Sequence, residues 1–195
     1  LTQIVRLGTE LATLRREDEV LDSLVRRVAE IMNSATCSVM LIDYEKNEAV
    51  LAAQTGIPAG ADKLHVPLSS PIFRKLLDAG EPIILTDIDR QEPSMRQFLV
   101  RPDLKAFFAY PMVRRENVVG VITLSSLTPY NPSLEEISAC RLLAERAAAA
   151  LENARLFERT ERHLQQVQAL RTIDAAIASS FDLKAILNII LYQIV

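Results

Sequence analysis

The stretch that most constrains this chain runs from Ala106 to Leu127, AFFAYPMVRRENVVGVITLSSL. Phe107 to Val113 is aromatic and β-branched, and Val118 to Leu124 is almost wholly apolar. Arg114, Arg115, Glu116 and Asn117 lie between them, four polar residues that suit a tight hairpin loop. The second run also carries Thr123, Ser125 and Ser126. That mixture predicts a central strand buried on both faces, one of them partly polar. A hairpin cannot bury both its faces alone. The rest of the chain must supply more strands and at least one layer of helix.

Upstream, apolar residues recur near the helical period from Ile4 through Ile31, so Leu1 to Met32 is expected to be helical. The charged cluster Arg15 to Glu19 interrupts the stripe and predicts a bend, with a second helix starting at Asp18 or Glu19. Strands are expected at Thr36 to Asp43 and Glu48 to Thr55, then a short one at Leu64 to Leu68. Pro71 to Ala79 reads as a helix capped by Ser69 or Ser70 and ended by Gly80. Ile83 to Thr86 is a brief strand, and Asp87 to Leu104 a loop with one helical turn near Ser94 to Val100. After the hairpin, Ser133 and Glu136 form an S-x-x-E capping box. No glycine or proline follows, so one long helix is expected, with Ala147 to Ala150 allowing close approach to a neighbour. ERTERH, Glu158 to His163, reads as a solvated helical joint through which no strict heptad continues.

With 195 residues, 49% of them apolar, the chain can build one full domain and something more. An internal repeat suggests what the remainder is. Sliding the first segment so that Leu1 lands on Leu164 places Gln3, Leu7, Thr9, Ala12, Leu24 and Ile31 on Gln166, Leu170, Thr172, Ala175, Leu187 and Ile194, all identical. A tandem array is the expectation, with a second unit cut off after its first helical part. The very apolar Ile186 to Val195 would then need a covering surface, for which a second copy of the chain is the simplest candidate.

Net charge of −3 without a basic block argues against a nucleic-acid surface. Two distant cysteines, Cys37 and Cys140, argue for a reducing compartment without disulfides. No apolar run reaches membrane-span length and no signal peptide is evident. The chain starts at leucine rather than methionine, which reads as a piece of a larger cytosolic protein.

The element order and the hairpin FAYPMVRRENVVGVITLSS resemble the GAF domain, with Pro111, Met112, Val119, Gly120, Val121 and Leu124 on that family's motif positions. ALENARLFERT, Ala150 to Thr160, is similar to the family's exit helix through Asn153, Ala154, Arg155 and Leu156. The resemblance implies an α+β fold: a six-stranded antiparallel sheet, N-terminal and exit helices on one face, short helices and loops roofing a small-molecule pocket on the other, and a long C-terminal helix. It implies a GAF domain over residues 1–159, with 160–195 as a linker helix and the helical start of a truncated second GAF copy. It also implies a non-enzymatic sensory module of a signalling protein such as a sensor histidine kinase, dimeric through its terminal helices. The alternatives are the regulatory region of a diguanylate cyclase, a dimerisation spacer without ligand, and a small catalyst like the methionine-sulfoxide reductases built on this fold.

The expected pocket wall is Ser38, Met40 and Ile42 on the first strand, Phe108 and Tyr110 on the hairpin's first strand, Thr123 and Ser125 on its second, and Arg96 and Phe98 from the roof. No cofactor is assigned. Phytochrome-type members tether a bilin through a roof cysteine, and no cysteine occurs between Asp43 and Ser133. Cys37 and Cys140 read as small buried hydrophobes. His65 and His163 read as ordinary histidines rather than haem ligands. Asp87, Asp89, Glu92 and Asp103 read as a solvated, turn-forming cluster. The cyclic-nucleotide signature N-K-F-x-D-E is absent, Asn131 opening only NPSLEE.

Overall fold

The computed structural model describes residues 2–57, 64–99 and 101–194. It divides into two units, Leu1–Arg155 and Leu156–Val195. The first begins with helices α1 (Thr2–Thr13) and α2 (Glu17–Met32), broken at Leu14 to Arg16 where the charged cluster begins. Glu17, Asp18 and Glu19 fill the first turn of α2, where carboxylates complement the positive end of the helix dipole. Asn33 closes it in the left-handed region at φ 46°.

Strands β1 (Thr36–Asp43), β2 (Glu48–Thr55), β3 (His65–Pro67), β4 (Ile83–Leu85), β5 (Ala106–Arg114) and β6 (Asn117–Ser126) form one sheet in the order β3-β2-β1-β6-β5-β4. Every pairing is antiparallel. Between strands lie α3 (Pro71–Ala79), α4 (Ile88–Gln91) and a 3-10 turn (Pro93–Phe98). Ser70 occupies the N-cap of α3, but its hydroxyl makes no capping bond and is buried without a partner. Gly80 closes α3 at φ 62°.

The hairpin turn is Arg115–Glu116, with φ of 47° and 69°. Two positive φ values match the right-handed twist of the flanking strands, as in a type I′ turn. One irregularity follows. Val113 pairs with Val118 but Met112 with Gly120, so Val119 is an extra residue in β6. That bulge shifts the side-chain parity of β5 against β6 for the rest of the hairpin.

On one face of the sheet, α1, α2 and helix α5 (Leu134–Ile194, of which the part to Arg155 lies in the first unit) bury the larger core. Leu11, Leu24, Leu143 and Leu151 are fully buried there, each worth about 1.5–3 kcal/mol of transfer free energy. Ala144, Ala147, Ala148 and Ala154 are buried in the same core, small residues that let the helix approach closely. The capping box forms as the residues predict. Ser133 N–H donates to Glu136 Oε2 at 2.7 Å and Glu136 N–H to Ser133 Oγ at 3.2 Å. Arg155 clamps Glu17 of α2 with bonds of 2.8 and 2.7 Å, so the residue matching the exit-helix motif fixes the seating of α5 on α2. On the other face, α3, α4 and the segment before β5 enclose a second core around Phe73, Leu76, Ile88 and Leu104.

The second unit, Leu156–Val195, is helical through Ile194. Residues Arg159 to Gln166 are exposed, as a solvated joint requires. The side chains of Ile186 to Val195 lie outside the described residues.

Candidate functional site

Three central strands build the floor of a cavity on the roofed face. Antiparallel register sets Thr36 opposite Ser125, Ser38 opposite Thr123, and Met40 opposite Val121 across β1 and β6. It sets Phe107 opposite Ser125 and Ala109 opposite Thr123 across β5 and β6. All eight line a cavity of about 70 Å³. Leu64 and Val66, Ile72, Phe73 and Leu76 of α3, and Leu99, Arg101 and Leu104 complete its walls with Ile57.

The walls are apolar, and the floor carries four hydroxyls in two cross-strand rows. Ser38 Oγ and Thr123 Oγ1 are hydrogen-bonded at 2.6 Å. Thr36 and Ser125 form the neighbouring row and are each 4% exposed. Arg101 is the one charged residue among the described lining residues. Its guanidinium donates to both Asp103 oxygens, at 3.1 and 2.6 Å, and to the Gly56 carbonyl at 3.3 Å. That fork holds the Asp103 carboxyl below the usual carboxylate range.

Of the residues expected at the pocket, Ser38, Met40, Thr123 and Ser125 come together here. Ile42 packs with the roof-side core beyond the cavity. Phe108 and Tyr110 lie on the helix face of the sheet, and the β6 bulge is the reason. An unbulged hairpin would pair Phe108 with Thr123 and put both aromatics on the floor; the observed register puts Phe107 and Ala109 there. Phe108 instead meets Tyr130 edge-on at 6.0 Å. Arg96 turns away from the cavity to bind Asp89 and the carbonyls of Pro102 and Leu104, bracing the roof loop. Phe98 lies in the 3-10 turn, with its side chain outside the described residues. Thr36, Phe107, Ala109, Leu76 and Arg101 also line the cavity, outside the wall expected from sequence. Only Thr36 left a signal there: with Ser38 it forms an alternating polar pair on an otherwise apolar strand.

Both cysteines are buried on the helix side, off the cavity. Burial, with Cys140 nearby, pushes the Cys37 thiol up to about 12. Burial pushes Cys140 up to about 11 against a hydrogen bond from Tyr110. Thiolate chemistry at neutral pH is disfavoured at both. The acidic cluster is consumed locally: Asp87 caps α4, Asp89 bridges Arg96 and Lys105, Asp103 holds Arg101, and Glu92 accepts from Ser94. Among the described residues no group of three or more His, Cys, Asp or Glu is placed to hold a metal. His65 Nδ1 lies 3.1 Å from Glu48 at the sheet edge, and His163 is exposed.

A family model described as GAF domain matches residues 15–152. The chain belongs to the GAF domain family. Solved structures share its fold. The GAF domain of a phosphoenolpyruvate-protein phosphotransferase from Coxiella burnetii is 23% identical with a TM-score of 0.72, over 80% of this chain and 94% of that one. A GAF domain/HD domain protein from Geobacter sulfurreducens is 26% identical with a TM-score of 0.63, over 75% and 98%. Free methionine-R-sulfoxide reductase from Neisseria meningitidis, solved with its substrate, is 15% identical with a TM-score of 0.69, over 78% and 88%. GAF domains are regulatory and sensory modules of signalling proteins, generally non-catalytic, that commonly dimerise and bind ligands. Among the described residues no helix is long and apolar enough to cross a membrane.

Proposed function

We propose that this GAF domain is a non-enzymatic sensory module of a cytosolic signalling protein. A small ligand in the cavity, or a partner at the roof, biases the equilibrium between two packings of roof on sheet. α5 passes that bias to an output domain of the parent protein, a histidine kinase in the leading reading and a diguanylate cyclase in the alternative. The transmitted free energy is limited by the ligand's differential affinity for the two states. The observation that carries the reading is the cavity itself: apolar walls over a floor of four hydroxyls, the composition of a small-molecule site. Its roof suits a switch, since α4 and the 3-10 turn are short and braced by the Arg96–Asp89–Lys105 ion pairs.

Residues 1–159 form the sensor in this reading. Residues 160–195 are a linker helix and the start of a second copy, a proposal supported by the identities between the two helical segments. The module is a homodimer through its terminal helices, a reading favoured by exposed Leu156, Leu170 and Ile177 at intervals of seven or fourteen residues. Native mass spectrometry of the purified chain tests the sensor. Reproducible extra mass that leaves on denaturation is expected. A bare chain from every preparation would favour the dimerisation spacer. The protonated thiols away from the cavity favour binding over reductase chemistry.

A further inference from the structure

Resting on the reading of the cavity as a ligand site, we propose that its ligand is a compact, uncharged molecule with a hydrogen-bonding head of the carboxamide, urea or alcohol type. The floor is the first reason. Thr36 and Ser125 face one another across β1 and β6, line the cavity and are more than nine-tenths buried. Among the described residues neither hydroxyl is engaged in a side-chain hydrogen bond, and neither belongs to the sealed, unpartnered side-chain oxygens, which are Ser34 Oγ and Ser70 Oγ; both open onto the cavity. Ser38 and Thr123 beside them share one bond, which leaves one further proton and free lone pairs. Open to the cavity, these hydroxyls offer it donors and acceptors that an apolar floor would not. A ligand head that both donates and accepts completes them.

Charge is the second reason. Arg101 is already committed to both oxygens of Asp103 and to the Gly56 carbonyl. An ion entering the cavity meets no uncommitted opposite charge among the described lining residues, and stripping water from an ion costs far more than from an amide. Size is the third. A cavity of about 70 Å³ is well under the roughly 150 Å³ of an engineered cavity that takes benzene. Met40, Phe73, Leu76 and Phe107 leave room for a short alkyl body.

Three probes of one shape and different charge test this: acetamide, acetate and acetamidinium, titrated into the isotopically labelled chain by amide-resolved NMR. Acetamide is expected to shift the resonances of residues 36–38 and 121–125 saturably, binding roughly tenfold or more tighter than either ion. A Thr36→Val, Ser125→Ala variant with native spectral dispersion is expected to lose the saturable shifts. Tighter binding of acetate or acetamidinium would overturn the uncharged class and leave the sensor reading standing. Acetamide binding that survives the double variant would overturn the hydroxyl floor as the recognition element. No response to any probe, with no adduct by native mass spectrometry, would remove both readings together.

Discussion

Gly120 sits where β1, β5 and β6 crowd together beside the bulge. A Cβ there would lie 2.3 Å from Met112 Cε and 2.7 Å from the Met40 carbonyl oxygen. The methionine end can move aside, but the strand carbonyl cannot without loosening β1. Gly120→Ala is therefore expected to cost about 1–3 kcal/mol, read as a lower urea midpoint at unchanged slope. The cysteines make a second prediction at this scale. Their thiols ionise near 9 when unfolded, and at about 12 and about 11 when folded. Between those values the folded state holds more protons than the unfolded one. Stability is thus complete below about pH 9 and falls as pH rises through the folded pKa values. Urea melts from about pH 8 to about pH 11 should show the decline. A Cys37→Ala, Cys140→Ala variant should flatten it only in part, because burial raises the Tyr110 hydroxyl in the same direction.

The hairpin carries the element-scale argument. Its turn needs left-handed backbone at two non-glycine residues, and Glu116 at φ 69° is the further into that region. Left-handed backbone at a side-chain-bearing residue is unfavourable, so Glu116→Gly is expected to raise stability by about 1 kcal/mol, seen as a higher thermal midpoint. Arg115 is a poorer target, because its guanidinium lies 3.5 Å from Glu152 on α5. The helical segments differ instructively. Residues Leu14 to Arg16 break α1 from α2, whereas the stretch aligned with them by the repeat, Ile177 to Ser179, is helical. The first pair bends where α1 and α2 share the core beneath the sheet.

For the whole molecule, the proposed dimer gives the sharpest measurement. Leu170 and Ile177 are 60% and 50% exposed, so changing them disturbs no core. Leu170→Glu with Ile177→Glu is expected to convert a dimer to a monomer by light scattering, with thermal stability of the sheet domain retained. A wild-type chain that is already monomeric would refute pairing through this helix. The site follows the same logic of assembly: its floor comes from three strands, its lid from α3 and the segment before β5, so no contiguous stretch contains it.

What local chemistry dictates was readable in the residues. The capping box at Ser133 and Glu136, the turn between Arg114 and Asn117, the helical phase of α2 and α5 and the alternation in β1 each depend on neighbours a few positions apart. The choice of face for β5 does not. Phe107, Phe108, Ala109 and Tyr110 are all buried, so no polar alternation marks inside from outside. That choice rests on one inserted residue, Val119, whose bulge slips the register and turns Phe107 and Ala109 to the cavity. Arg96 and Arg101 were likewise indistinguishable as cations in a loop. Only the folded chain, by presenting carbonyls to one and a cavity rim to the other, gave them different work.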